Sequence, residues 1–186
     1  MRQPGGGWAA VIVNYNGAVF LDGCLRALNQ NRPRPAEVVV VDNASTDDSL
    51  KELHAWPVAT VIQSYENLGF AGGANRGIAA TESPLAVVLN PDVELASDYG
   101  DRLVSVFDRS PRLGVAGAKL LYPDGRTIQH AGGVLERPLL TTHHRGYGEP
   151  DGDQWNEPAD VDFVTGGAMA LRRDAFEAVD GFDTTL

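Results

Sequence analysis

The chain has little that ties it to an oxidising compartment, a nucleic acid or a membrane. A single cysteine, Cys24, among 186 residues excludes an internal disulfide. Basic residues are scarce, 15 Lys and Arg against 25 Asp and Glu, and the net charge of −10 excludes a binder of phosphate backbones, which needs clustered cations. The same field repels an anionic membrane surface. A small anionic ligand stays compatible with it, since a bound divalent cation and backbone N–H groups outweigh net charge locally. No apolar run reaches membrane-spanning length, and Met1 to Trp8 lacks the apolar stretch of a secretory signal. A cytoplasmic protein is the default expectation, with any membrane anchor left to sequence outside this chain. Internal repeats and low-complexity tracts are missing as well.

What is present is enough apolar sequence, 43%, for one core and one domain. Residues 1–8 read as a flexible lead and 9–186 as the folded unit. WAAVIVN, Trp8 to Asn14, is a short apolar run of the kind buried on both faces of a sheet. A helical pattern follows from Val19 to Gln30, with Leu21, Cys24, Leu25 and Leu28 on its apolar face, so Cys24 is expected to pack as a small hydrophobe. Pro33 and Pro35 precede a second strand, Glu37 to Val41. Ser45 and Asp48 resemble a capping box for a short helix through Leu50 and Leu53. Val58 to Gln63 reads as a strand, Ala71 to Thr81 as a helix, Leu85 to Leu89 as a strand, and Tyr99, Leu103, Val106 and Phe107 recur at helical spacing. Leu113 to Lys119 makes a fifth strand and Tyr122 to Asp160 hairpins and loops. Strand character resumes at Val161 to Thr165 and Ala168 to Leu171 before a helix near Asp174 to Val179. The alternation predicts an α/β fold with a mostly parallel, Rossmann-like sheet covered by helices on both faces.

Ligands of parallel sheets bind beyond the carboxyl ends of the strands, and those ends are polar here: Asn14-Tyr15-Asn16-Gly17, Asp42-Asn43-Ala44-Ser45, Glu66-Asn67-Leu68-Gly69 and Asn90-Pro91-Asp92. Asp42 suits a base imide or a ribose hydroxyl, and Asn14 and Asn16 suit carbonyl and N–H groups of the same ligand. Turn and cap roles fit Asp42 and Asn43 equally well when each is taken singly. The glycine-rich stretch from Asn67 to Gly77 opens a helix and admits close backbone approach, yet matches neither the P-loop nor the dinucleotide fingerprint. Asp92, held at a strand end, suits Mg²⁺ or Mn²⁺ shared with a diphosphate; a Pro-containing turn with a solvated Asp is the plain alternative. The four histidines lack zinc-site spacing.

The ordered set VIVNYN, VVVVDNASTDDS, ENLGFAGGANRG, VVLNPDVE and FVTGGAMALRR…GFD resembles family two glycosyltransferases of the GT-A fold, and within them the bacterial rhamnosyltransferase-like group, from about Ala10 to Asp183. The resemblance implies a nucleoside site at Asn14, Tyr15, Asn16 and Asp42 with Asn43 and Ser45 beside them. It places the loop carrying Asn67, Gly69, Phe70 and Asn75 near ribose, diphosphate and sugar. Asn90-Pro91-Asp92 stands for the family's D-x-D motif, with Asn90 replacing its first Asp and Asp92 as the metal ligand. Gly166 and Gly167, with His130 and His144, fall in the donor and acceptor vicinity. The implied reaction is inverting transfer of rhamnose or a similar hexose from a dTDP- or UDP-sugar to a glycan or lipid-linked acceptor, as in cell-wall or polysaccharide biosynthesis. The family's catalytic base follows the G-F-D segment, so it is expected beyond Leu186, the domain reads as incomplete at its C-terminus, and Asp183 is the carboxylate at hand to stand in. This chain is therefore expected to bind nucleotide with little turnover. A non-catalytic nucleotide-sugar-binding module or partner subunit is the competing reading. A nicotinamide-dependent oxidoreductase is disfavoured by the missing dinucleotide fingerprint.

Overall fold

A computed structural model of the chain describes residues 7–185. Trp8–Asn14 forms β1, buried along its whole length, so the boundary at residue 8 moves: Trp8 belongs to the core, while residues 1–6 of the expected flexible lead lie outside the described residues. There follow α1 (Ala18–Gln30), β2 (Glu37–Asp42), α2 (Ser49–Leu53), β3 (Thr60–Gln63), α3 (Gly69–Ala79), β4 (Leu85–Leu89) and α4 (Tyr99–Arg109). After β5 (Val115–Gly117) come β6 (Leu120–Leu121), β7 (Ile128–His130), β8 (Gly133–Glu136), β9 (Thr141–His144), β10 (Ala168–Arg172) and α5 (Arg173–Glu177).

The main sheet has six strands in the order β3-β2-β1-β4-β10-β5. Strands β1 to β4 are parallel, whereas β10 runs antiparallel between β4 and β5. Side chains alternate along β1 and so divide between two cores. Trp8, Ala10 and Ile12 pack with Leu21, Cys24, Leu25 and Leu28 of α1 and Leu103 and Phe107 of α4; Val11 and Val13 pack with Ala74 and Ile78 of α3. Cys24 sits buried in the first of these, as its place on the helix face predicted. Helix α3 lies directly on the sheet because a Cβ at Gly77 would collide with Val11 and one at Gly73 would come within 2.7 Å of Val13. Among the described residues no helix is long and apolar enough to cross a membrane.

Two adjacent arginines at the end of β10 serve opposite faces. Arg172 donates to the carbonyls of Phe107 in the last turn of α4 and of Leu113 in the loop after it, and Arg173 to those of Ile78 in the last turn of α3 and of Ser83 in the loop after it. Each closes one orphan helix-end carbonyl with a charge of favourable sign and ties the following loop to it. Arg173→Ala should therefore cost about 1.5–3 kcal/mol, the value of hydrogen bonds to a charged donor, read as a lower urea midpoint at unchanged slope.

The structure departs from the expected elements at two places and agrees at a third. Ser45 and Asp48 form no capping box, because the Ser45 hydroxyl accepts from Asn16 N–H and the Asn14 amide instead. Val161 to Thr165 joins no named strand: Phe163 bridges Gly133 of β8 in isolation, and only from Ala168 does the chain enter the main sheet. The segment from Tyr122 does form hairpin pairing, with β7 on β6 and β9 on β8.

Candidate functional site

The parallel register sets Asn14 level with Asp42 at the carboxyl ends of β1 and β2. The Asn14 amide donates to Asp42 Oδ1 at 2.9 Å and to Ser45 Oγ at 3.1 Å, while Ser45 N–H donates to Asp42 Oδ2 at 3.2 Å. Asn14 and Asp42 both have 0% of their surface exposed, so in this structure they hold the floor of the site rather than face a ligand. Asn14 Oδ1 is buried without a partner and lies against Gly17, where a Cβ would collide with it and come within 2.8 Å of the Pro91 ring. Only glycine lets Pro91 seat there. That contact brings the end of β4, and with it Asp92, beside the loop that carries Asn14 to Asn16.

The mouth of the site is made by residues on that loop and its neighbours. Tyr15 is 53% exposed and Asn16 is exposed with a left-handed φ of 54°. Asn16 is fixed by a bond from its own N–H to Ser45 Oγ and by one from Thr46 N–H to its Oδ1. Asp47 accepts from Ala18 N–H and from Ser49. Burial raises its carboxyl, but the hydrogen bonds from the Ser49 hydroxyl and from Ala18 and Ser49 N–H together outweigh this and hold it below the usual carboxylate range. On the α3 side the Asn43 amide donates to Gly69 O, and Gly69 N–H donates to Asn67 Oδ1, both at 2.9 Å. Gly69, at φ 68°, has open space where a Cβ would be.

The Thr165–Gly167 turn closes the opposite side. A Cβ on Gly166 would come within 2.7 Å of the Phe70 ring, and Gly167 O accepts from Asn90 N–H at 3.1 Å. Phe70, Gly166, Gly167 and Asn90 are thus brought together. Asn75 is not part of this group: its amide donates to Phe182 O and accepts from Phe182 N–H, so it fastens the Gly181–Asp183 segment to α3. Asp183 is turned onto Thr185, whose hydroxyl and N–H bond its carboxylate and hold it below the usual range, a poor condition for a base.

His130 and His144 meet each other rather than the donor side. Their Nδ1 atoms are 3.0 Å apart and their rings 4.8 Å apart, with Phe163 about 6 Å from both. His130 is buried and its Nε2 has no partner. Burial, with His144 adding to it, pushes the His130 imidazole down to about 4. An unfolded chain takes up that proton first, so stability holds above about pH 6.5 and falls as pH drops toward 4. His130→Leu should flatten this pH dependence and change stability at pH 7 little, since it removes an unpaired buried Nε2 along with one bond to the exposed His144; urea unfolding at pH 7 and pH 4.5 reads both effects.

Asp92 is exposed, and with Glu94 its charge reinforces burial in pushing the Cys24 thiol up to about 12. Among the described residues no cluster of three or more His, Cys, Asp or Glu is placed to cage a metal ion. A lone carboxylate fits a cation that takes its remaining ligands from a diphosphate and water, the habit of Mg²⁺. The groove of about 190 Å³ lined by Leu28, Arg34, Pro35 and Trp56 lies at the amino ends of β1 and β2, away from all these groups.

Sequence reasoning missed Asp47, Thr46 and the Gly17–Pro91 contact; the Ser45-Thr46-Asp47 run carried the signal but read as a local helix cap.

Residues 9–180 match the model of Glycosyl transferase family 2. The N-acetylglucosaminyl-diphospho-decaprenol L-rhamnosyltransferase of Mycobacterium tuberculosis is 27% identical over 201 residues, covering 93% of this chain and 64% of its own. The O-antigen chain rhamnosyltransferase WbaN of Salmonella anatum is 22% identical over 180 residues, covering 92% of this chain and 54% of its own. Among solved structures, the mannosyltransferase PcManGT from Pyrobaculum calidifontis in complex with GDP-Man and Mn²⁺ superposes with a TM-score of 0.70 at 19% identity, over 99% of this chain and 50% of that one. S. aureus TarS 1-349 in complex with UDP gives 0.71 at 18% identity, over 97% and 51%. The chain therefore spans 64% of the length of the mycobacterial relative and about half of each structure. With its GT-A fold and with rhamnosyltransferases among its relatives, the chain belongs to glycosyltransferase family 2.

Proposed function

We infer that the chain is the donor-binding part of an inverting glycosyltransferase. It would move rhamnose or a similar hexose from a nucleoside diphosphate to a glycan or lipid-linked acceptor, with Mg²⁺ or Mn²⁺ at the diphosphate. The observation that carries this reading is Pro91 seated on Gly17, which brings the strand end that carries Asp92 against the loop of Tyr15 and Asn16. One loop then offers a ring and an amide to a nucleoside while the next strand end offers a cation ligand to its diphosphate. The relatives named above support a nucleotide-sugar donor, and two of them support rhamnose.

In this reading Asn14, Asp42 and Ser45 keep the two loops in register from below, and Tyr15 and Asn16 meet the nucleoside. The Asn67–Phe70 loop and the bare backbone of Gly166 and Gly167 leave room for the sugar. Asp92 holds the cation, which when bound stabilises negative charge on the departing diphosphate. Asp183, committed to Thr185, is not given the removal of the acceptor proton in this reading.

Thermal shift with UDP, dTDP, GDP and NAD, each with Mn²⁺, Mg²⁺ or EDTA, tests the reading, since ligands of the native state raise its melting temperature. UDP or dTDP should stabilise in the presence of either cation and lose most of that effect in EDTA. No shift with any nucleotide, or a shift with NAD alone, would overturn it.

A further inference from the structure

Helix α1 begins after Gly17, which has no side chain with which to cap it. Its first N–H, that of Ala18, instead donates at 2.9 Å to Asp47 Oδ2, which lies 29 positions along the chain on the loop after β2. The other carboxylate oxygen accepts Ser49 N–H at 3.0 Å and the Ser49 hydroxyl at 2.5 Å, which anchors Asp47 on its own side. One side chain thus joins two loops and supplies the missing cap.

Both loops are bent into a backbone region that residues with a Cβ avoid: Asn16 at φ 54° and Ala44 at φ 60°. Such conformations persist where surrounding contacts over-determine them, and they gather at ligand clamps. Here the contacts are Asn16 N–H to Ser45, Thr46 N–H to Asn16, and Ala18 N–H to Asp47. The first two hold Asn16 itself; Asp47 holds the chain just beyond it. Between the buried Asn14 and the bent Asn16 stands Tyr15, half exposed, whose position follows from where this loop is held.

We propose that Asp47 is a positioning residue for the nucleotide, clamping the β1–α1 loop onto the β2–α2 loop so that Tyr15 and Asn16 stand fixed at the mouth of the site. It touches no part of the ligand. The proposal rests on the nucleotide-binding reading above. Because the carboxylate fills the N-terminus of α1, that helix end is closed to phosphate, and the diphosphate is left to the Gly69–Phe70 and Asp92 side.

Titration calorimetry with UDP and Mn²⁺ on the whole chain tests it. Asp47→Ala should raise the Kd for UDP about tenfold, because a loop must then be ordered at the expense of binding. Asp47→Asn keeps an oxygen able to accept Ala18 N–H and should stay within about threefold. Ser49→Ala removes one of the two bonds on the anchoring side and should raise Kd by less than Asp47→Ala does. A loss of melting temperature in Asp47→Ala with unchanged Kd would make the residue merely structural and overturn the clamp. Equal losses of affinity in the Asn and Ala variants would do the same. A wild-type chain that binds no nucleotide would sink the nucleotide reading and the clamp with it, whereas wild-type binding with an indifferent Asp47→Ala sinks the clamp alone.

Discussion

Asp92→Asn is expected to weaken Mn²⁺-dependent binding of UDP or dTDP about 100-fold, roughly 3 kcal/mol, while leaving the melting temperature of the nucleotide-free chain within about a degree. The size follows from the donor set. Among the described residues no three carboxylates, imidazoles or thiols are grouped into a cage, so Asp92 carries much of the charge that the protein offers the cation. Asparagine keeps the shape and one oxygen but not the charge that the cation needs. Stability is spared because Asp92 is exposed and makes none of the bonds that hold β4. Calorimetry repeated in EDTA decides the cause: wild type and variant should converge there, and an equal gap with and without Mn²⁺ would mean that Asp92 acts on the loop and not through a cation.

Asp42→Ala should be the most destabilising single change at the site, about 2–4 kcal/mol, with loss of nucleotide binding following from disordered loops. Asp42 has no exposed surface and accepts both from Asn14 Nδ2 and from Ser45 N–H. Truncation leaves those donors stranded away from water. Replacing both Asn14 and Asp42 with leucine, which has nearly the same branched shape, removes the stranded amide together with its acceptor. That double variant should recover most of the stability in urea unfolding and still bind no nucleotide. If it binds UDP as the wild type does, the floor of the site has been misassigned.

Much of this is legible in the amino-acid sequence. The first strand is an uninterrupted apolar run ended by Asn14, and the fourth ends at Asn90-Pro91-Asp92. Both contrasts are strong enough to mark where a buried strand meets a ligand edge. Cys24 and its leucine neighbours declared a buried helix face by spacing alone. What failed were assignments that depend on a partner remote in sequence. Asn75 lies in the glycine-rich loop motif, yet its partner Phe182 is 107 positions away. Ser45 has the spacing of a helix cap, yet Asn14 and Asn16 compete for its hydroxyl and win, because β1 delivers them to the same sheet edge. Val161 to Thr165 has the composition of a strand, but the β10 position in the sheet was already filled by Ala168–Arg172. Local pattern reports which face a residue wants, and it does not report who else arrives there.

The antiparallel entry of β10 also bears on how this architecture can change. Gly117 and Met169 face each other across β5 and β10, so the chain between them leaves the sheet and returns to adjacent strands. An excursion whose two ends are already neighbours can be lengthened, shortened or exchanged at small entropic cost. Both hairpins, the His130–His144 pair and the Thr165–Gly167 turn belong to that excursion, whereas Tyr15, Asp47 and Asp92 all precede it. Selection can therefore rebuild what approaches the sugar from one side without touching the residues proposed to hold the nucleotide. A swap of residues 118–164 with those of a relative is the graft in which nucleotide affinity should stay unchanged.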